Sequence, residues 1–552
     1  MFRPLLVLCL LALPALGDPT ALSTAPTVPG GSSGTPSLSI NFSSSGLTSV
    51  NWNGTEMLAS GTPNLEYVGM IQPDGSWVGA SMTCTTTANI PNQTLTQTYP
   101  WGTMTYVYTT TPTQLFCSVT IQNTSSTPMG MFMMQLLEIQ FPQTPAEYDG
   151  VDPMMAWNMG SPSIIHTTFG TGSMALTNED VVNPLMIGWP WSLDSNKTIF
   201  PLLILTGGDG SLPTSYPFIN RQIPAGGTLT YKVGFRFGGP TATNFQLAGD
   251  LYQAFAAAYP NTLQWTDHRP IAQLMLTSVN GYSPTNPRCW FGDTSVDVTT
   301  PAGIAAFQQR VLAYAKQAVA NCQAEGAQGA VTWDIEGQQF PQPTTYIGDP
   351  RLISTLAPEM AGVVDAYFKT FTDAGLKVGT TIRPQQLVLT NSNTQASQVD
   401  VADPGQLMLQ KISYANTRWG ATLFYVDSNG QPDNPTPINF FHEVTSALPN
   451  VLLMPEQSNM SYYSITAPYG QLNLGVTGTP PDVIWAYPKA FRVYTISDGD
   501  VTDNMAALVS SVARGDVLYF RGWYNSPESP QVQQIYQQAG QAAGGAAAGP
   551  SQ

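Results

Sequence analysis

Apolar positions follow two different periods along this chain. Between about 37 and 240 they alternate with polar ones, as in Ser37-Leu38-Ser39-Ile40-Asn41-Phe42, Thr103-Met104-Thr105-Tyr106-Val107-Tyr108 and Leu229-Thr230-Tyr231-Lys232-Val233. A period of two sends neighbouring side chains to opposite faces of a strand. Asn53-Gly54, Pro73-Asp74-Gly75 and Pro224-Ala225-Gly226-Gly227 supply the turns between such runs. The region predicts an antiparallel β-sandwich, two sheets burying their apolar faces against each other.

The period changes after residue 268. Short apolar runs at 271–276, 329–334, 377–382, 421–426, 451–454, 491–496 and 517–520 alternate with helical stripes at 301–323, 357–374, 403–417 and 502–514, and with one that Asn439 is expected to cap. The helix at 301 starts on Thr300 as cap and Pro301 in the first turn. A further run at 483–487 reads as a strand, while 456–483 offers no helix. Seven or eight strands in about 270 residues predict a (β/α)8-like barrel, with an open parallel sheet as the alternative. The resulting layout is a leader at 1–17, a flexible segment at 18–36, the sandwich at 37–240, a helical linker at 241–268, the barrel at 269–537 and a flexible tail at 538–552.

The first 17 residues carry Arg3, an apolar run from 5 to 13 and small residues before Asp18, the pattern of a cleaved signal peptide. Secreted or periplasmic localisation is therefore expected. No later stretch suits membrane insertion. With 19 Lys and Arg against 35 Asp and Glu, the net charge of -16 opposes nucleic-acid partners. Nothing in the sequence sets the oligomeric state.

Outside the leader there are four cysteines. Export and loop length favour disulfides Cys84–Cys117 and Cys289–Cys322. Three histidines are too few for a multi-histidine metal centre, so no metal is expected. The oxygen-rich segment from Ser497 to Asn504 could bind calcium, but it lacks the later glutamate of an EF-hand, and helix capping explains it more simply. Dinucleotide, phosphate-loop and esterase-elbow motifs are absent.

Charged residues make up only 10% of the chain, so their recurrence behind barrel strands is informative. Asp334 and Glu336 follow the second strand, Arg383 the third, Asp427 the fourth and Glu456 the fifth, and Asp498 follows the run at 491–496. Loops after barrel strands converge on one rim, and paired carboxylates there can cleave a glycosidic bond, one as acid and one as nucleophile or base. The preferred pair is Asp427 as nucleophile or base and Glu456 as acid. Asp334 with Glu336 is the rival pair, and Asp498 is a reserve acid. Trp333, Tyr425, Trp485, Tyr487, Trp523 and Tyr524, together with Arg383, are the candidates for holding a sugar's apolar face and hydroxyls. Trp333 and Tyr425 could instead pack under the helices.

With a sandwich preceding a barrel and Tyr425-Val426-Asp427 closing the fourth strand, the chain resembles secreted glycoside hydrolases of the α-galactosidase-like type. The resemblance implies Asp427 as nucleophile. It also implies an aspartate acid on a later strand, for which Asp498 stands available and from which Glu456 departs. A secreted glycoside hydrolase without a cofactor, acting on a poly- or oligosaccharide, is the expected function. The alternative is a non-catalytic carbohydrate-binding or cell-surface protein; a polysaccharide lyase is disfavoured by the scarcity of Lys and Arg.

Overall fold

The computed structural model describes residues 37–546, except 73–76, 146–155, 159–163, 183–184, 190–191, 207–222, 340–345, 391–394, 432–433, 473–477, 497 and 524–530. The chain divides into two compact units, Met1–Ala258 and Tyr259–Gln552.

The first unit is the antiparallel sandwich. One sheet runs in the order Ile164–Thr168, Ser173–Asn178, Thr228–Gly238, Gln114–Asn123, Gly102–Thr110, Thr94–Tyr99 and Thr85–Asn89, and the other centres on Met129–Gln140 and Ile199–Thr206. Alternate residues such as Met104, Tyr106, Val119 and Ile121 are fully buried between them, as the period of two requires. Helix α1 (Asn244–Ala258) falls within this unit. It is held there by Arg236, a buried arginine that pairs with Glu179 of the sandwich at 2.8 Å and with Asp250 of the helix. The expected linker is therefore part of the first unit as far as Ala258.

In the second unit eight parallel strands follow one another around a barrel: β1 (Ile271–Leu274), β2 (Gly329–Thr332), β3 (Lys377–Ile382), β4 (Leu423–Val426), β5 (Leu452–Pro455), β6 (Tyr469–Gln471), β7 (Val493–Ile496) and β8 (Val517–Arg521). β1 pairs with β8, closing the ring on that side. Among the described residues no ladder joins β5 to β6; the amide of Ala467, just before β6, bonds the Leu453 carbonyl at 3.0 Å across the seam. The principal helices are α2 (Pro301–Ala324), α3 (Val364–Asp373), α4 (Pro404–Trp419), α5 (Ile438–Ala447), α6 (Pro481–Ala486), α7 (Asp498–Ala513) and α8 (Gln531–Ala546). Among the described residues no helix is long and apolar enough to cross a membrane.

Each barrel strand is buried on both faces, and residue parity decides which face a side chain serves. Odd-numbered Ile271, Val331, Leu423, Tyr425, Val493, Val517 and Tyr519 fill the interior, joined by even-numbered Leu452 and Met454 of β5, where the phase is reversed. Even-numbered Leu274, Ala330, Phe424, Val426, Leu518 and Phe520 pack under the helices.

Several local expectations are corrected. Residues 483–487 are not a strand. α6 opens on Pro481 behind Pro480 and ends at Ala486, and a five-residue apolar run alone could not distinguish the two forms. The missing sixth strand is the three-residue β6, and a 3-10 turn at Met460–Ser464 replaces the helix before it. Asn439 lies inside α5, which Pro437 caps. α8 runs to Ala546 and buries Val532, Ile535 and Ala539, so the expected tail is shortened.

The expected disulfides are also overturned: all four cysteines are free. Cys117 lies three strands from the strand that Cys84 precedes, a separation of about 14 Å at ordinary strand spacing, beyond the reach of a bridge. Cys289 sits in the loop after β1, whereas Cys322 lies in the last turn of α2, which returns to the opposite end of the barrel. Burial pushes the Cys117 and Cys322 thiols up to about 12.

Candidate active site

Three of the expected site residues meet at the carboxyl ends of consecutive strands. Arg383 and Asp427 continue the odd, inward-facing parity of β3 and β4, and Glu456 continues the even, inward-facing parity of β5 set by Leu452 and Met454. Arg383 forms an ion pair with Asp427. The Asp427 carboxylate also receives the Ser428 hydroxyl at 3.3 Å and the Tyr425 hydroxyl at 3.4 Å. Glu456 accepts the Ser428 amide at 2.9 Å, which draws its carboxylate beside that of Asp427. Burial raises the Asp427 pKa above its ordinary value; the Arg383 charge opposes this and the Glu456 charge adds to it. One carboxylate thus senses the other.

A buried clasp below the pair holds the two loops in register. The Asn429 side chain donates to the Gln457 carbonyl at 2.7 Å and accepts from the Gln457 amide at 2.9 Å. Ser428 adopts a left-handed backbone (φ 53), which turns the chain after it away from the line of β4, and its amide bonds Glu456. Asn429 was not among the residues picked from sequence.

Asp334 and Glu336, the rival pair, lie elsewhere. Even parity turns Asp334 to the helix side with Thr332, whose hydroxyl bonds Tyr367 of α3 at 2.9 Å. Asp334 accepts the Leu276 and Thr277 amides, each at 2.8 Å, and the Thr277 hydroxyl at 2.5 Å, pinning the loop after β1. Neither carboxyl has accessible surface. Burial raises Asp334 to about 6 and Glu336 to about 8.

Glu336 belongs to a buried polar scaffold behind the site. One of its oxygens accepts the Asp349 amide at 3.0 Å, and the other has no partner among the described residues. Lys411 of α4, fully buried, donates to the carbonyls of Arg383 (2.8 Å) and Gln385 (2.7 Å) and lies 3.8 Å from Asp349. Burial pushes its pKa down to about 8 against the pull of Asp349. Sequence reasoning missed Lys411, although a lysine in phase with Met408, Ile412 and Ala415 on the apolar stripe of α4 was the available signal.

The raised Glu336 pKa carries a stability prediction. A carboxyl raised in the fold contributes stability that is full below its unfolded value of about 4.5 and is lost as pH rises toward about 8. Denaturant unfolding at pH 5 and pH 8 should show the wild type losing more stability across that interval than Glu336→Gln. Equal losses would contradict the burial argument.

The aromatic candidates separate into three groups. Trp333 and Tyr425 point into the barrel, not under the helices, and stack at 4.2 Å with an interplanar angle of 3°. Tyr469 and Tyr519 close the cage, with Tyr519 receiving the Trp333 indole N–H. Trp333 and Tyr425 are buried at 5% and 2% exposure, so they form the floor of the mouth rather than an open platform. Tyr346, missed in the sequence, folds over Trp333 edge to face at 5.0 Å. At the rim, Trp523 packs against the interior cluster. Trp485 and Tyr487, read as binding residues at a strand end, belong to the segment around α6; the Tyr487 hydroxyl donates to the Tyr259 carbonyl, ahead of β1, at the end opposite the rim.

Tyr524 and the side chain of Asp498, the first residue of α7, lie outside the described residues. The segment considered for calcium is helical from Asp498 onward. Among the described residues no cluster of His, Cys, Asp and Glu could hold a metal ion. A cavity of about 250 Å³ lined by Thr262, Leu263, His442 and Val451 opens at the amino end of β5, away from the carboxylates.

Comparison with known proteins yields likeness of form. An α-galactosidase of glycoside hydrolase family 36 from Geobacillus stearothermophilus is 11% identical, covers 92% of this chain and 85% of its own, and has a TM-score of 0.42. An α-N-acetylgalactosaminidase from Bifidobacterium bifidum is 10% identical, with 91% of each chain covered and a TM-score of 0.45. An α-galactosidase from Lactobacillus brevis is 10% identical, with 86% of this chain and 72% of its own covered and a TM-score of 0.40. At these values the likeness assigns neither a reaction nor a residue. No protein-family model and no curated protein matches the chain.

Proposed function

We propose that this protein is a glycoside hydrolase in which Asp427 is the nucleophile or base and Glu456 the acid. The observation that carries the reading is the meeting of two inward-facing carboxylates on adjacent strands, joined through Ser428 and flanked by Arg383. Glycosidic cleavage needs one carboxyl ionised and one protonated at the same moment. Arg383 favours the ionised form of Asp427 directly, while Glu456 lacks an ion-pair partner among the described residues. The aromatic floor supplies apolar surface for a sugar ring, and the leader at 1–17 supports export to where glycans are met.

The test is release of reducing ends from a panel of oligosaccharides. The wild type should cleave at least one, and Glu456→Gln should slow that cleavage by about 100-fold, the usual worth of general acid catalysis. Binding of glycans with no cleavage of any would instead make the protein a carbohydrate-binding module.

A further inference from the structure

A second cation stands at the mouth of the barrel, four strands around from Asp427. Arg521 ends β8 in phase with the interior residues Val517 and Tyr519 and in register with Gln273 of β1. Its guanidinium lies 4.7 Å from the centre of the Trp523 ring. Its charge is felt by the phenols of Tyr346 and Tyr469, which line the same mouth.

What distinguishes Arg521 is the lack of a counter-charge at the mouth: Arg492 and Arg514 also hold no carboxylate among the described residues, but they precede β7 and β8 at the opposite end of the barrel. Arg310, Arg351, Arg383 and Arg418 of the same unit each hold a carboxylate. Among the described residues Arg521 has none within 4.0 Å, and its Nε is buried with no hydrogen-bond partner. Two neighbours share this deficit: Gln273 Oε1 and Trp523 Nε1 are also buried and unpartnered among the described residues. A partly buried cation without a counter-ion costs free energy that a bound anion recovers. Stacking on an indole leaves the plane of the guanidinium preset for a two-point contact with a carboxylate.

We propose that Arg521 receives the carboxylate of a hexuronic acid, so that the glycan bound between it and the Asp427–Glu456 pair is an acidic one. The net charge of -16 gives this local cation a specific task. An anionic glycan is repelled by the molecule as a whole, and only a charge inside the mouth can select it. The inference rests on the hydrolase reading for the orientation of the sugar, but not for the binding itself.

Calorimetric titration of the full chain tests it, using tetramers of galacturonic, glucuronic and mannuronic acid, each beside its carboxyl-reduced counterpart. The wild type should prefer at least one uronate over its reduced partner by tenfold or more, and Arg521→Gln should abolish that preference. Arg521→Lys, which keeps the charge but loses the fork, should retain part of it. The absence of any such preference in the wild type, which requires no variant to fold, overturns the proposal. So does a preference that survives Arg521→Gln, or a stronger one for 6-sulfated galactose oligomers. Cleavage is scored separately. Arg521-dependent uronate binding without hydrolysis would sink the hydrolase reading and keep this site, and hydrolysis of neutral glycans without a uronate preference would do the reverse.

Discussion

Replacing Asp427 by Asn should reduce glycan hydrolysis by about 10³-fold or more, while glycan binding and the near-ultraviolet circular dichroism of the fold persist. The amide keeps the shape that fits between Arg383, Tyr425 and Ser428 but cannot attack a sugar carbon or take a proton. The pH profile separates this role from a merely structural one. Burial holds the Asp427 pKa above its ordinary value, and Arg383 restrains the rise. Arg383→Gln should therefore move the acid limb of the activity profile to higher pH, because ionising Asp427 becomes harder when the cation is removed. A limb that stays fixed, or a D427N variant with wild-type turnover, would show that the reacting carboxylate lies elsewhere.

The second large effect is expected at Lys411, which touches no substrate. Lys411→Met should cost about 3 kcal/mol of unfolding free energy, a loss of one partner from a buried charged cluster. The carbonyls of Arg383 and Gln385 would lose their donor, and Asp349 would keep only Arg351, at 2.8 Å, as counter-charge. Denaturant unfolding gives the free energy directly, and the melting temperature should fall by roughly 5–10 °C. A change below about 0.5 kcal/mol would mean that methionine packing compensates for the lost bonds. Because Lys411 holds the backbone of Arg383, the activity of the folded variant should fall with it, and the acid limb should shift in the same direction as in Arg383→Gln.

The fold was legible where period and length agreed. β3 at Lys377–Ile382 and α2 from Pro301, with Thr300 accepting the Gly303 amide, follow directly from alternation and capping. β6 was not legible, because three residues are too few to establish a period, and its wall is completed by neighbours remote in sequence. Within the site, Asp427 and Glu456 could be found because they stand immediately beyond apolar strands. The orientation of Asp334 depends on one unit of strand phase. The inward packing of Val331 and Trp333 sets Asp334 under the helices, and the strand ends at Thr332, so spacing along a strand does not govern Glu336. Lys411 was hidden by its type, since a lysine in a helix reads as solvent-exposed unless its neighbours in the stripe are considered.

The seam between β5 and β6 gives the barrel wall the character of a split ring. In a closed hoop the positions of all eight strand ends are fixed together by strand tilt and stagger. Here Glu456 sits on the lip of the split, where among the described residues no strand ladder, only the Ala467–Leu453 bond, ties β5 to the β6 side. Its separation from Asp427 is set on the other side, by the Asn429–Gln457 clasp and the Ser428 amide. The spacing of the two carboxyls is thus a local property of two short loops, and a substitution there can retune it without altering the girth of the barrel.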